Sequence, residues 1–173
     1  CIRDRAIATS GKITGFGGGV LGDTTSLKAY AASFGVNTLL NDTYWNQKSK
    51  DLFSGTITNE DIQQEIRNLS ASAYPAWADG IMAGKSMDSQ TSYIKQTIAT
   101  YLEKDPNTIN YDDPLMKQWT QYIDPQTNKP AQAPQWMVAK GVKSTDEWLL
   151  TNNARDSIDS LSYKVLKDWK LVG

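Results

Sequence analysis

The residue types that most enzymes use for catalysis are scarce in this sequence. Its 173 residues include no histidine and a single cysteine, Cys1. Nucleophile systems of the Ser-His-Asp and Cys-His kind are therefore excluded, and the commonest zinc ligand is missing. Chemistry would have to depend on carboxylates, lysine, tyrosine or hydroxyl groups. We expect no metal site and no other cofactor.

The carboxylates are candidate catalytic groups, because a glycosidase needs only two acidic side chains flanking the scissile bond. The chain has four glutamates, Glu60, Glu65, Glu103 and Glu147. Glu60 and Glu147 fall in predicted first turns, where a negative charge suits the helix dipole. Glu65 lies on a predicted polar helix face and Glu103 in a predicted last turn, so none has the apolar surroundings of a general acid. We assign no catalytic residue, and a peptidoglycan-cleaving enzyme using Glu65 or Glu103 is kept as an alternative function.

Residues 80–86 (GIMAGKS) look like a phosphate-binding loop at first sight. Such a loop needs four residues between its glycines and a strand before it, whereas this segment has three and follows a predicted helix. Gly84 is better explained as the glycine that ends that helix. We therefore expect no nucleotide site.

Charge and hydropathy disfavour two further classes of partner. The net charge is −1, from 18 basic and 19 acidic residues that are interspersed along the chain. Without a basic stripe that could neutralise phosphates, nucleic-acid binding is not expected. The fully apolar runs span only a few residues, far below the ~20 of a membrane-spanning helix, so we expect no such segment.

Apolar residues recur at helical spacing in two segments, and helix start signals stand at several positions. One segment contains Ile62, Ile66, Leu69 and Ala73, and the other contains Ala154, Ile158, Leu161, Val165 and Trp169. Capping boxes are predicted at Thr58 with Asp61 and at Ser144 with Glu147, and Asp113 precedes a proline at a first helical position. We predict an all-α fold of about six to eight short helices and no strand.

We predict three regions along the chain. Residues 1–22, rich in glycine, form a flexible tail or linker, and Asp23 is the predicted N-cap of the first helix. Residues 23–123 form a helical domain, and residues 124–173 form a C-terminal helical segment that packs on it. The boundary is the turn-forming run 124–130 (DPQTNKP). Because the chain begins with Cys1 and not Met, we expect a piece of a longer protein.

The aromatic residues are expected mostly in the core. Trp148 and Ile158 are predicted core anchors, and truncating either to alanine should cost roughly 2–5 kcal/mol. Three tryptophans are instead predicted to be exposed and to bind a partner: Trp45, Trp136 and Trp169. Exposed aromatics of this kind keep a helical protein–protein adaptor, acting for example through Trp136, as a second alternative function.

From Leu52 to the C-terminus, a series of helix boundaries and aromatic positions recurs in a recognisable order. The segments are 53–56 (FSGT), 73–78 (AYPAWA), 102–106 (LEKDP), 124–127 (DPQT) and Trp148 with 151–155 (TNNAR). This order resembles a helical region of virion structural proteins of tailed bacteriophages. Those are minor tail or internal virion proteins, sometimes joined to cell-wall-degrading domains.

The resemblance implies a role without catalysis. A module of this kind would pack against other virion proteins, or space a functional domain, in virion architecture or genome delivery. Its expected partners are other virion proteins and its expected location is the virion. The resemblance supplies no active residue at the matching positions.

Overall fold

The computed structural model describes residues 18–170, with side chains from residue 24 onward. This part of the chain forms ten α-helices and one two-stranded ribbon, so the predicted all-α class is confirmed. The helices are α1 (Gly18–Ser33), α2 (Asp42–Phe53), α3 (Asn59–Ala73), α4 (Ala78–Met82), α5 (Met87–Gln90), α6 (Ser92–Leu102), α7 (Pro114–Thr120), α8 (Gln135–Lys143), α9 (Asp146–Leu149) and α10 (Asn152–Asp168). The ribbon pairs β1 (Ile123–Asp124) with β2 (Lys129–Pro130) in antiparallel register.

The first helix starts earlier than predicted. Helix α1 begins at Gly18, so Asp23 lies inside it, and its prediction as an N-cap is wrong. Glycine disfavours a helix by about 1 kcal/mol per residue but does not prevent it from forming. The prediction from glycine content therefore placed the start of the first helix too late. The rest of the predicted tail, residues 1–17, lies outside the described residues.

Side chains cap the N-termini of the next two helices. The Asn41 side chain accepts a hydrogen bond from the backbone N–H of Tyr44 at 2.9 Å and starts α2. Thr58 and Asp61 form the predicted capping box of α3. The hydrogen bonds from the Thr58 backbone and hydroxyl hold the pKa of Asp61 below its usual range. These caps satisfy backbone donors that have no partner within the helix.

Two expected helices differ from the structure. The predicted helix from Met87 to Lys104 is divided into α5 and α6 at Thr91, whose buried hydroxyl binds Met87 O and lies 3.0 Å from the Tyr111 hydroxyl. The predicted capping box at Ser144 is displaced by one residue. Ser144 ends α8, and the Thr145 hydroxyl caps α9 by accepting from Trp148 N at 3.3 Å.

Helix α8 and the ribbon were not predicted as regular elements. The run 124–130 turns the chain between β1 and β2, as its composition indicates. Helix α8 then packs along α6. Just before α8 begins, Ala133 O accepts a hydrogen bond from the Tyr93 hydroxyl of α6 at 2.7 Å. A Cβ at Gly141 would collide with the Trp119 ring. The glycine in α8 is therefore the residue that permits its close approach to α7.

One apolar core joins these helices into a body, which we define as residues 24–154. Its fully or almost fully buried side chains include Leu27, Phe34, Ile62, Ile66, Trp77, Ile81, Ile94, Ile98, Met116, Trp119, Val138 and Val142. Polar bonds also cross it: Trp77 Nε1 donates to Thr120 O at 2.9 Å, and the Tyr74 hydroxyl donates to Gly35 O at 2.9 Å. Burial raises the pKa of Tyr74 to about 12.

None of the helices between residues 18 and 170 combines the length and the apolar composition that crossing a bilayer requires.

Candidate interaction surface

Helix α10 is attached to the body by its first turn. The Thr151 hydroxyl caps it by accepting from Ala154 N at 3.1 Å, and the Ala154 side chain is fully buried. Glu103 ends α6 in a left-handed conformation, φ 54°, and its carboxylate accepts from Asn153 N at 2.8 Å and from Asn152 Nδ2 at 3.1 Å. A negative group at a helix N-terminus is also favoured by the helix dipole. We call these contacts the Glu103 clamp.

The segment before α10 strengthens this attachment. Trp148, in α9, is partly buried and packs against the core, in agreement with the predicted anchor. Beside it, Lys104 Nζ lies 2.6 Å from a Glu147 carboxylate oxygen. Asn153 adds a hydrogen bond from its side-chain amide to Thr100 O at 2.9 Å. The base of α10 is therefore held by α6, α9 and the residues between them.

Beyond its first turn, α10 projects away from the body. Every residue from Arg155 to Lys170 is exposed. At 1.5 Å per residue, the helical part of this segment is about 21 Å long. The helix thus offers its whole circumference to a partner.

One side of the projecting helix is apolar. Ile158, Leu161, Val165 and Trp169 fall within about 80° of the circumference at 100° per residue, and we call them the α10 stripe. Their exposed fractions are 52%, 64%, 46% and 75%. The prediction of Ile158 as a core anchor is therefore wrong, because the body contacts only the helix turn that contains Ala154. The apolar periodicity correctly predicts which face of α10 is apolar, but it does not predict that this face is exposed.

The three tryptophans predicted at a partner surface have different environments. Trp45 is only 5% exposed, with its indole N–H donating to Leu40 O at 3.2 Å, so its prediction as an exposed residue is wrong. It is covered because α2 packs against α1, which also places the Lys28 ammonium over its ring. Trp136, on α8, and Trp169, at the end of α10, are exposed. Partner binding by these two residues stays a prediction.

The two glutamates considered as general acids are engaged in other contacts. Glu65 forms a salt bridge with Lys48 at 2.6 Å and accepts a hydrogen bond from the Tyr44 hydroxyl at 3.1 Å on the surface. Burial, followed by the charge of Glu65, raises the pKa of Tyr44. Glu103 belongs to the clamp described above. Neither side chain lies in an apolar cleft of the kind that raises the pKa of a catalytic acid.

Two further features of the described residues bear on ligand binding. An open cleft of about 530 Å³ between α1 and the Asn110–Asp112 loop is lined in part by Asp88, Lys95 and Tyr111. Lys95 Nζ lies 2.7 Å from Asp88, and the Tyr111 hydroxyl donates to Asp88 at 2.9 Å, so these groups satisfy one another. Burial raises the pKa of the Tyr111 phenol. No set of three or more acidic, histidine or cysteine side chains within the described residues is placed to hold a metal ion.

The residues 80–86 do not present a phosphate cradle. Gly84 has a φ of 85° and follows α4, as predicted for a glycine that ends a helix. The backbone N–H of Lys85 donates to Gly80 O at 2.9 Å, and that of Gly84 donates to Ile81 O at 2.9 Å. These donors close the helix end and do not point to an anion.

Comparison with known proteins gives no relative. No protein-family model, no curated protein sequence and no solved structure matches this chain.

Proposed function

We propose that this chain is a non-enzymatic structural module of a tailed-bacteriophage virion protein, and that it joins a neighbouring polypeptide of the particle through α10. The observation that carries this proposal is the α10 stripe, an apolar surface on a helix that the body leaves uncovered. Monomeric proteins in water seldom expose large contiguous apolar surfaces, and those that do usually use them for binding.

The geometry of α10 suits attachment. Apolar residues at steps of three and four on an isolated helix are the pattern by which a helix binds a groove or another helix. The Glu103 clamp and the Thr151 cap already fix the first turn. Since this part of the helix is ordered before a partner arrives, less conformational entropy is lost on binding.

The body suits the role of a rigid spacer. Its core extends across most of its helices, and hydrogen bonds such as Trp77 to Thr120 join residues distant in sequence. The virion assignment depends on a different argument, the order of the motifs from residue 52 to the C-terminus. That order supports a tail or internal virion protein with other virion proteins as partners.

A cellular protein–protein adaptor is the second candidate function, and the exposed Trp136 favours it. The α10 stripe supports both candidates equally, since each requires a docking surface. They differ in where the protein is found, either in virus particles or in a complex of the host cell. The first experiment therefore concerns location.

The test is mass spectrometry of gradient-purified particles from the phage or lysogen that carries this gene. Peptides of this chain should be present at a constant ratio to the major tail or capsid proteins. A Leu161→Asp variant, which places a charge in the middle of the α10 stripe, should reduce incorporation at least about tenfold. Ser160→Asp, on the polar side of the same helix, is the matched control and should be incorporated normally.

Two results would contradict the proposal. Particles that lack this chain would remove the virion assignment. Particles that incorporate the Leu161→Asp and Ser160→Asp variants equally would show that the α10 stripe does not provide the attachment.

A further inference from the structure

We propose that a polar groove beside α1, α6 and the Asn110–Asp112 loop binds a neutral saccharide chain. This inference goes beyond the proposed function, because it uses neither α10 nor the virion assignment. It adds a binding site on the body and the chemical class of its ligand.

The polar groove consists of four clefts that adjoin one another. The central cleft, of about 530 Å³, lies between α1 and the Asn110–Asp112 loop. Three others, of about 420, 290 and 320 Å³, each share lining residues with it. The shared residues are Asp88 and Asn110 for the first of these, Ala32 and Asn37 for the second, and Thr38 and Asp112 for the third. A continuous groove of this kind suits several units of an extended chain, since a single small ligand usually occupies one cavity of about 300–1,000 Å³.

A buried network fixes the side chains at the centre of the groove. Tyr111 is only 7% exposed, and its hydroxyl donates to Asp88 at 2.9 Å and lies 3.0 Å from the buried hydroxyl of Thr91. Lys95 Nζ lies 2.7 Å from Asp88 and 4.6 Å from the centroid of the Tyr111 ring. Because these side chains are held in place before a ligand arrives, less conformational entropy is lost on binding.

Two aspartates of the groove each keep one carboxylate oxygen available. The Tyr111 hydroxyl and Lys95 Nζ both contact Oδ1 of Asp88. In Asp112, Oδ1 likewise lies 3.4 Å from Lys117 Nζ and 3.3 Å from a threonine hydroxyl. Within the described residues, neither Oδ2 takes part in a hydrogen bond or an ion pair. Each carboxylate is thus fixed through one oxygen and can accept a ligand hydroxyl with the other.

The charges of the groove balance one another, which favours a neutral ligand. A nucleic acid or another phosphate polymer requires an excess of basic groups along its path. Here three lysines stand against three aspartates, a net charge of zero. These lining residues are Lys28, Lys95, Lys117, Asp42, Asp88 and Asp112.

Side-chain amides favour a saccharide over a peptide. Asn37, Asn107 and Asn110 are exposed in the groove, and each amide offers both donors and an acceptor. The hydroxyl groups of a saccharide likewise donate and accept. An extended peptide is usually bound by a free strand edge and by pockets for its side chains, but β1 and β2 do not line this groove. A saccharide is therefore the neutral chain that these groups match.

The test is nuclear magnetic resonance of the isotope-labelled whole chain, titrated with cellobiose, maltose and N,N′-diacetylchitobiose to about 20 mM. At least one of these neutral disaccharides should shift the backbone amide resonances of Lys95 and Asn110 in a saturable way, with a Kd of about 0.5–10 mM. Inorganic phosphate and a capped Gly-Ser-Gly-Ser peptide at the same concentration should leave these resonances unchanged.

A variant that obstructs the groove locates the binding. Ala29 is an exposed residue of α1 that lines the central cleft, so Ala29→Trp should weaken binding at least about tenfold. Ser26→Trp, at an exposed position of the same helix that lines none of the four clefts, is the matched control and should bind normally. Asn110→Ala should weaken binding about threefold to tenfold, because it removes hydrogen bonds to the ligand. Circular dichroism and thermal melting establish that the three variants are folded.

Three results would overturn the saccharide groove. The first is the absence of saturable shifts at Lys95 and Asn110 with all three disaccharides. The second is binding that Ala29→Trp and Ser26→Trp leave equally strong. The third is a larger shift with the peptide, which would make the groove a peptide site. None of these results bears on α10, whose role is tested separately by the incorporation of Leu161→Asp into particles.

Discussion

Helices α3 and α10 have nearly the same apolar pattern and opposite environments. Ile62 and Ile66 of α3 are completely buried, whereas Ile158 and Leu161 of α10 are 52% and 64% exposed. Both helices show apolar residues at steps of four and three, and both start at a threonine cap. The pattern therefore determines that a helix forms and which face is apolar, but not what covers that face.

The difference between the two helices comes from their neighbours. Helix α3 lies against α1 and α4 along its length, and the Ser70 hydroxyl donates to Phe34 O at 2.7 Å within that contact. Helix α10 is attached through its first turn, by Ala154, by the Glu103 clamp and by the hydrogen bond from Asn153 to Thr100 O. An apolar face that the described residues leave uncovered favours binding to a further partner.

The largest expected effect is on α3, whose apolar face is buried. Ile66→Ala removes a completely buried side chain, so it should lower the free energy of unfolding by about 2–5 kcal/mol through lost burial and a residual cavity. Urea denaturation followed by circular dichroism measures this change. A loss below about 0.5 kcal/mol would mean that α3 does not pack as the structure shows.

A smaller effect is expected at the contact between the body and the first turn of α10. Glu103→Ala removes two hydrogen-bond acceptors at the N-terminus of α10, so it should destabilise the first turn of that helix by about 1–2 kcal/mol. Hydrogen exchange should show faster exchange at the amides of α10, while the amides of α3 and α6 keep their protection.

The control for this variant is Glu60→Ala, at an exposed position in the first turn of α3. It removes a similar charge near a helix N-terminus, so its cost should be within about 1 kcal/mol. Exchange at α10 that is equally fast in both variants, or unchanged by Glu103→Ala, would show that the carboxylate does not hold the helix.

Local signals explain which parts of the fold could be predicted. The Asn41, Thr58 and Asp113 caps each bind a backbone N–H two or three residues ahead, so a short stretch of sequence contains all the information. Helix α8 lacks such a signal, because it follows Pro134, whose side chain offers no acceptor. Its existence depends on contacts with α6 and α7, which are distant in sequence.

The candidate surface could be predicted only in part for the same reason. Trp136 and Trp169 are exposed as expected, but Trp45 is covered by α1. The Glu103 clamp joins residues 50 positions apart, and no motif in the sequence marks it. The residues of the α10 stripe recur at helical spacing in the sequence. Their exposure, however, follows from the absence of a neighbouring helix between residues 18 and 170.

The smallest expected effect is on α10, whose apolar face is exposed. Ile158→Ala makes the same chemical change as Ile66→Ala at a side chain that the body does not bury. At about 1 μM, it should change the free energy of unfolding by no more than about 0.5 kcal/mol. The same urea titration measures both variants. A loss of about 2 kcal/mol or more at that dilution would mean that α10 folds back onto the body, and it would remove the surface on which the proposed attachment depends.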